Sequence, residues 1–237
     1  MERLDKLIAS TGRWSRREAR DLIRAGRVLL SGTPPSGPDQ KADPETSVLT
    51  VDGEPLVLRR FTWVMLHKPA GYLSATEDGR GQTVLDLLPK DLRKNLFPVG
   101  RLDKATEGLL LLTNDGPAAH ALLSPRHHVD KVYYARVSGK LDEADRAAFQ
   151  AGVVLPDLRC LPAELDILSA GEDFSEAHVT VREGKFHQVR RMLASRGKPV
   201  EYLKRIRMGN LPLDPALRRG EFRLLTAEEV ETLCNFQ

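Results

Sequence analysis

The segment Gly100-Arg101-Leu102-Asp103 places a guanidinium and a carboxylate two residues apart, just ahead of the run Leu109 to Thr113. In an extended backbone that spacing puts both side chains on one face. The run itself, four leucines and a threonine between turn signals, reads as an interior strand. Charges at the mouth of such a strand are costly unless paired, because an isolated buried carboxylate takes up a proton instead. Asp103 is therefore either a member of a structural ion pair or a working group in a cleft.

Three more segments concentrate residues able to do chemistry: HKPAGYLSAT (His67 to Thr76), SPRHHVDKVYYARV (Ser124 to Val137) and EGKFHQVRRML (Glu183 to Leu193). His127, His128 and His187 invite a metal, but adjacent histidines on a strand diverge. No Cys, Asp or Glu sits at a convincing ligand spacing either, so no metal is expected. These histidines read as phosphate contacts or turn caps. The chain has no P-loop, dinucleotide fingerprint or HExxH.

The elements that must position these groups follow from residue 60 onward. Strands are predicted at 61–66, 109–113, 132–137, 177–181, 200–207 and 222–225. Helices are predicted at 83–88, 118–123, 143–151, 187–195 and 227–233, the last behind a Thr226 cap. The helices do not alternate strictly with strands, which predicts an α+β fold on a mixed, antiparallel-rich sheet rather than a doubly wound one. Upstream, Ser15-Arg16-Arg17-Glu18 is a capping-box pattern, and Gly26 stands where a helix would end. RVLLSG and SVLTVDGEPL then read as short strands, the second broken by an Asp-Gly turn. Between them, residues 32–47 read as a Pro- and Gly-rich loop. A small domain over residues 1–59 and a larger one over 60–237 are expected.

Composition limits the partners. Hydrophobic residues make up 41% of the 237, enough for a core, and the 29% that are charged suit a soluble surface. Cys160 and Cys234 lie far apart in no CxxC pattern, which fits a reducing compartment. No apolar run approaches the ~18 residues of a membrane span, and the start is charged from its second residue, so a cytoplasmic protein with no membrane partner is expected. The net charge of +3 is unevenly spread: residues 182–207 hold nine basic side chains against two acids, and residues 140–178 hold nine acids against three bases. Such segregation orients a polyanion toward one side. Arg13, Arg16, Arg17, Arg20, Arg24 and Arg27 form a second basic cluster, against Glu18 and Asp21, which favours phosphate contact over a merely solvated face.

In order and spacing, the four segments resemble the motifs of pseudouridine synthases, in the branch that modifies ribosomal RNA with an N-terminal RNA-binding domain. The resemblance covers nearly the whole chain, and the N-terminal helices and strands resemble the alpha-L RNA-binding motif of a small-subunit ribosomal protein. It implies an isomerisation that breaks the uracil–ribose bond, turns the base and rejoins it through carbon-5, with no cofactor, metal or energy donor. Asp103 matches the essential carboxylate, acting as nucleophile or as a base that starts an elimination. Arg190 matches its basic partner, whose charge would keep it ionised. Arg191 would replace Arg190 in a shifted helix register but reads better as a phosphate contact. Tyr133 matches a residue lying against the uracil, and Leu193 an apolar residue packing on the target ring. Because a stacked uridine must be flipped out, Arg101 matches the side chain that fills the vacated stack. Arg16, Arg17, Arg20, Arg24, Lys185, His187 and Arg191 complete the expected RNA contacts.

Within the family, chain length and the SPRHH segment most resemble the branch acting on uridine-516 of 16S rRNA, in a small-subunit assembly particle. A 23S rRNA enzyme of the same family is the alternative, and a non-catalytic rRNA-binding assembly factor a further one. A metal-dependent nuclease would need Glu107 and Asp115 clustered with Asp103, and is discounted. With no heptad seam in the sequence, a monomer is expected.

Overall fold

The computed structural model describes residues 1–235 apart from Gly12, Glu45, Val57, Arg59, Arg60 and Arg80. The chain divides into two compact units, Met1–Thr62 with Leu88–Leu96, and Trp63–Leu87 with Phe97–Gln237.

In the first unit, β1 (Glu2–Arg3) leads into α1 (Leu4–Ser10), followed by α2 (Arg16–Arg24). The start of α2 is fixed by a reciprocal cap: Glu18 N donates to Ser15 Oγ at 3.2 Å, and Ser15 N donates to Glu18 Oε2 at 2.6 Å. Leu4, Leu7 and Ile8 of α1 meet Ala19, Leu22 and Ile23 of α2, all buried, at helical spacing. A three-stranded sheet, β2 (Val28–Leu30), β4 (Leu49–Val51) and β5 (Glu54–Leu56), covers this core, with β4 in the middle. Asp52 and Gly53 both have positive φ, as the tight β4–β5 hairpin demands. The segment expected to be a plain loop contributes β3 (Lys41–Ala42), which pairs with β1. Two residues of strand within a Pro- and Gly-rich stretch carry no periodicity that could have announced them.

The second unit is built on a nine-stranded sheet. Its strands are β6 (Trp63–Lys68), β7 (Phe97–Pro98), β8 (Glu107–Thr113), β9 (Lys131–Ser138), β12 (Glu164–Ala170), β13 (Phe174–Val181), β14 (Val200–Met208), β15 (Leu211–Pro212) and β16 (Phe222–Leu224). A short hairpin, β10 (Val154–Leu155) with β11 (Leu158–Arg159), stands apart. The main path runs β12-β13-β9-β14-β8-β6-β16, with β15 on β14 and β7 on β8. Every pairing is antiparallel except β14 with β8. The fold is α+β, antiparallel-rich and mixed, as the irregular placing of helices predicts. At the parallel junction Gly108, with φ of 105°, lies so close to β14 that a Cβ there would stand 2.2 Å from the Arg205 carbonyl oxygen. Only glycine fits.

Helices α3 (Gly116–Leu123), α4 (Glu143–Ala151), α5 (Gln188–Ser195) and α6 (Ala227–Cys234) complete the unit. One core joins Ala135, Val137, Ala177 and Val179 of the sheet to Phe149 of α4 and to Val189, Met192 and Leu193 of α5. Another joins Leu109 and Leu111 to Leu122 of α3 and Leu233 of α6. The helix expected at 83–88 is a short 3-10 turn, Val84–Leu87.

Candidate active site

Asp103 lies on the turn between β7 and β8, and its backbone is held from beneath. Lys68, at the end of β6 and fully buried, aims its ammonium at four carbonyl oxygens: Thr106 at 2.9 Å, Pro69 at 3.1 Å, Asp103 at 3.2 Å and Lys104 at 3.3 Å. Burial pushes the Lys68 pKa down to about 8, and the nearby charges of Asp103 and Glu107 oppose that shift. Ser74 fixes the next residue back: its Oγ donates to Leu102 O at 2.8 Å and accepts from Leu102 N at 3.1 Å. With Leu102 anchored, Arg101 and Asp103 both line one open cleft, as their spacing of two predicts.

The opposite wall comes from β9, β13, β14 and the entry to α5: Tyr133, Val181, Leu203, Glu183, Gly184, Lys185, Gln188 and Val189. Tyr133 packs on the α5-side core, while the next residue on β9 turns to the other face. There the Tyr134 hydroxyl donates to Glu176, and that hydrogen bond is the leading reason its pKa is pushed up to about 12. The Asp103 carboxylate is met by His187, whose Nε2 lies 3.5 Å from Oδ1. His187 takes a left-handed conformation at the N-cap of α5, with φ of 49°. Gln188 closes the turn ahead of it, accepting from Lys185 N at 3.0 Å and donating to Glu183 Oε1 at 2.7 Å.

The structure does not bring Arg190 to Asp103. Arg190, on the first turn of α5, is half-buried, and its Nη1 donates to Val200 O at 3.2 Å. Arg191 pairs with Asp157 beside the β10–β11 hairpin. The left-handed residue just before the helix delivers His187 to the cleft in their place. Leu193 is fully buried in the core, and the apolar side chains that line the cleft with Tyr133 are Leu102, Val181, Val189 and Leu203. Glu107 and Asp115 are engaged elsewhere: Glu107 accepts from Tyr202 Oη at 2.7 Å and pairs with Arg219 at 2.9 Å, and Asp115 caps α3 through Ala118 N.

Sequence reasoning missed two cations. Lys68 lies within HKPAGYLSAT, but the four carbonyls it gathers are not visible in a one-dimensional pattern. Arg205, 2% exposed on β14 and opposite Tyr133 on β9, donates from Nε to Leu109 O at 2.8 Å, and its buried Nη2 has no hydrogen-bond partner.

In the first unit, three of the arginines serve structure. Arg3, Arg16 and Arg20 converge on the fully buried carboxylate of Asp5, at 3.1, 3.2 and 2.9 Å. Burial alone would raise the Asp5 pKa, but the three guanidiniums outweigh it and hold the group well below the usual carboxylate range. Arg16 and Arg20 keep 49% and 42% of their side-chain surface, so they remain open to a second anion. Arg17 and Arg24 are exposed, Arg24 with Asp21 at 3.7 Å.

A pinned carboxylate and a guanidinium facing one cleft, a Tyr opposite, and an arginine-bearing helical unit ahead of them describe an enzyme that works on RNA. The chain belongs to the RNA pseudouridylate synthase family: that family model matches residues 62–195, and an S4 domain matches residues 2–42. Its activity is therefore the isomerisation of uridine to pseudouridine in RNA. The chain is 46% identical to an uncharacterised RNA pseudouridine synthase of Bacillus subtilis, over 98% of each. It is 39% identical to ribosomal small subunit pseudouridine synthase A of Pseudomonas aeruginosa, over 96% of this chain and 98% of that one. A crystal structure of a pseudouridylate synthase, 33% identical, superposes with a TM-score of 0.69 over 98% of this chain and all of its own. Among the described residues no helix is long and apolar enough to cross a membrane.

Proposed function

We propose that this enzyme converts a specific uridine of 16S rRNA to pseudouridine, acting as a cytoplasmic monomer on a small-subunit assembly particle. Residues 1–59 would serve as an RNA-binding domain and residues 60–237 as the catalytic domain. The observation that carries the reading is the turn pinned by Lys68 and Ser74, which presents Arg101 and Asp103 together to a cleft faced by Tyr133. The target choice is supported by the P. aeruginosa relative, named for the ribosomal small subunit and matched along nearly its whole length.

In this reading the target uridine leaves its stack and Arg101 takes the vacated place, its flat guanidinium able both to stack and to pair with phosphate. Asp103 acts on the ribose, by attack at C1′ or by proton removal that starts an elimination. The N1–C1′ bond breaks, the uracil turns, and a C5–C1′ bond forms. The proton lost from carbon-5 balances the one gained at N1, so the net change is an isomerisation. Tyr133 lies against the ring, with Leu193 behind it in the core. His187, with Nε2 3.5 Å from Oδ1, stands beside Asp103 where Arg190 was expected, and Arg190 stays on the Val200 carbonyl. Phosphates are met by Lys185, His187 and Arg191 beside the cleft and by Arg16, Arg17, Arg20 and Arg24 on α2.

The test is to map pseudouridine in 16S and 23S rRNA after incubating unmodified transcripts and subunit particles with the enzyme. One new site in 16S rRNA is expected. A site in 23S rRNA instead would overturn the target, and no site in either would favour a binding role in ribosome assembly.

A further inference from the structure

Phe186 is 75% exposed, more than any other Phe, Tyr or Trp side chain among the described residues, although it stands beside the catalytic cleft. It is not loose. Its ring stacks on the His187 imidazole, with centroids 3.9 Å apart and planes 15° from parallel. The far edge of that imidazole reaches Asp103 at 3.5 Å. The turn that holds both rings is braced by Gln188, which is 5% exposed and ties Lys185 N and Glu183 Oε1 together. Glu183 in turn accepts from Leu161 N at 2.9 Å, joining the turn to the neighbouring segment.

An apolar ring left in water on a rigid turn offers a flat surface already ordered for a partner, which lowers the entropy lost on binding. What stands around it selects the partner. Arg101 and Lys185 line the adjacent cleft, and the one acid of the turn, Glu183, is occupied by Gln188. A flat apolar face in a cationic surround suits a nucleobase, whose π-face stacks while its phosphate meets the cations.

We propose that Phe186, backed by His187, is the stacking platform for the nucleobase flanking the target uridine. The inference rests on the RNA reading above and deepens it: Arg101 fills the gap inside the duplex or loop, and Phe186 holds the neighbouring strand at the cleft mouth. Phe186 is a positioning residue; it does not touch the reacting atoms. Stacking on an aromatic side chain is sequence-tolerant, so the platform fixes the strand's path rather than its sequence.

The test uses the full enzyme with the rRNA it modifies. Phe186→Ala should raise KM roughly five-fold to a hundred-fold, the range for loss of one base–aromatic stack, with a smaller change in kcat. Phe186→Trp should restore KM, and Phe186→Leu, apolar but not flat, should not. Thermal melting should not move in any of them, since the ring is already in water. In parallel, a photo-crosslinking benzoylphenylalanine at position 186 should join to a nucleotide adjacent to the new pseudouridine. A Leu variant as good as Phe, or a crosslink remote from the modified position in an active enzyme, would overturn the platform. If wild type modifies no rRNA, the target reading fails by itself. The affinities of the Ala, Leu and Trp variants for the same transcripts then decide the platform alone.

Discussion

His187 Nε2 stands 3.5 Å from Asp103 Oδ1, and the backbone that carries it there is left-handed, with φ of 49°. Among the described residues the only other non-glycine positive φ values are at Ser31, Asp52, Asn95 and His128. Strain of this kind persists where the surroundings over-determine it, often at functional sites. Here the surroundings are the turn that Gln188 braces through Lys185 N and Glu183 Oε1.

The first prediction separates that backbone from its side chain. His187→Val places a β-branched residue at positive φ and should lower stability by roughly 1–3 kcal/mol, with a matching fall in turnover. His187→Asn tolerates the left-handed region and should melt like wild type while losing the imidazole that faces Asp103. Thermal unfolding and single-turnover rates on rRNA, measured together, read the two effects.

Gly108 gives the sharpest steric prediction. An added Cβ would meet the Arg205 carbonyl at 2.2 Å, at a φ of 105° that side chains avoid. Gly108→Ala should therefore cost about 3 kcal/mol or more, among the larger effects of a single substitution, by forcing β8 away from β14. A variant melting within experimental error of wild type would contradict the parallel junction described for these strands.

Lys131 supplies a pH prediction. It is 7% exposed, and its Nζ donates to Val129 O at 2.8 Å. Burial, then the charge of Arg205, push its pKa down to about 8 from an ordinary 10.5, against the opposing pull of Asp130. Between those values the unfolded chain holds the proton more tightly than the folded one, so raising pH through that window favours folding at this site. The stability of wild type relative to Lys131→Met should rise between pH 8 and 10.5, by at most about 3 kcal/mol at 1.36 kcal/mol per pKa unit. Chemical denaturation of both proteins across that range checks the sign, and a constant or falling difference would refute it.

The arginines of α2 should divide by their partners. Arg17 is exposed, so Arg17→Ala should weaken RNA binding and flatten its salt dependence by about one unit of slope without affecting folding. Arg20→Ala removes a guanidinium from the buried Asp5 and should cost about 1–3 kcal/mol of stability besides weakening binding. Filter binding at several salt concentrations, paired with melting curves, distinguishes the two.

What could be read in advance follows from where the information lies. The start of α2 sits in four residues, Ser15 to Glu18, and α4 spans 143–151 as its pattern predicts, because caps and helical periodicity are local. The strand Glu164–Ala170 had no such signature: only Leu165 is buried, so its edge position suppresses the alternation that announces a strand. The facing of Arg101 and Asp103 was legible from a spacing of two, but its support by Lys68 was not, since Lys68 lies 35 residues from Asp103 in sequence. The expected approach of Arg190 to Asp103 depended on where α5 begins. A single left-handed residue at His187, which no residue-type rule requires, turns the histidine to the cleft and Arg190 toward Val200.

The central claim is that Asp103 carries the chemistry while the basic surfaces carry the binding. It is tested most directly by Asp103→Asn, which keeps the shape of the side chain and removes its charge. Pseudouridine formation and rRNA affinity are measured on the same transcripts. The account predicts no detectable modification, with affinity within a few-fold of wild type because phosphate contacts dominate binding. Retained modification, or modification and binding lost together in a folded protein, would contradict it.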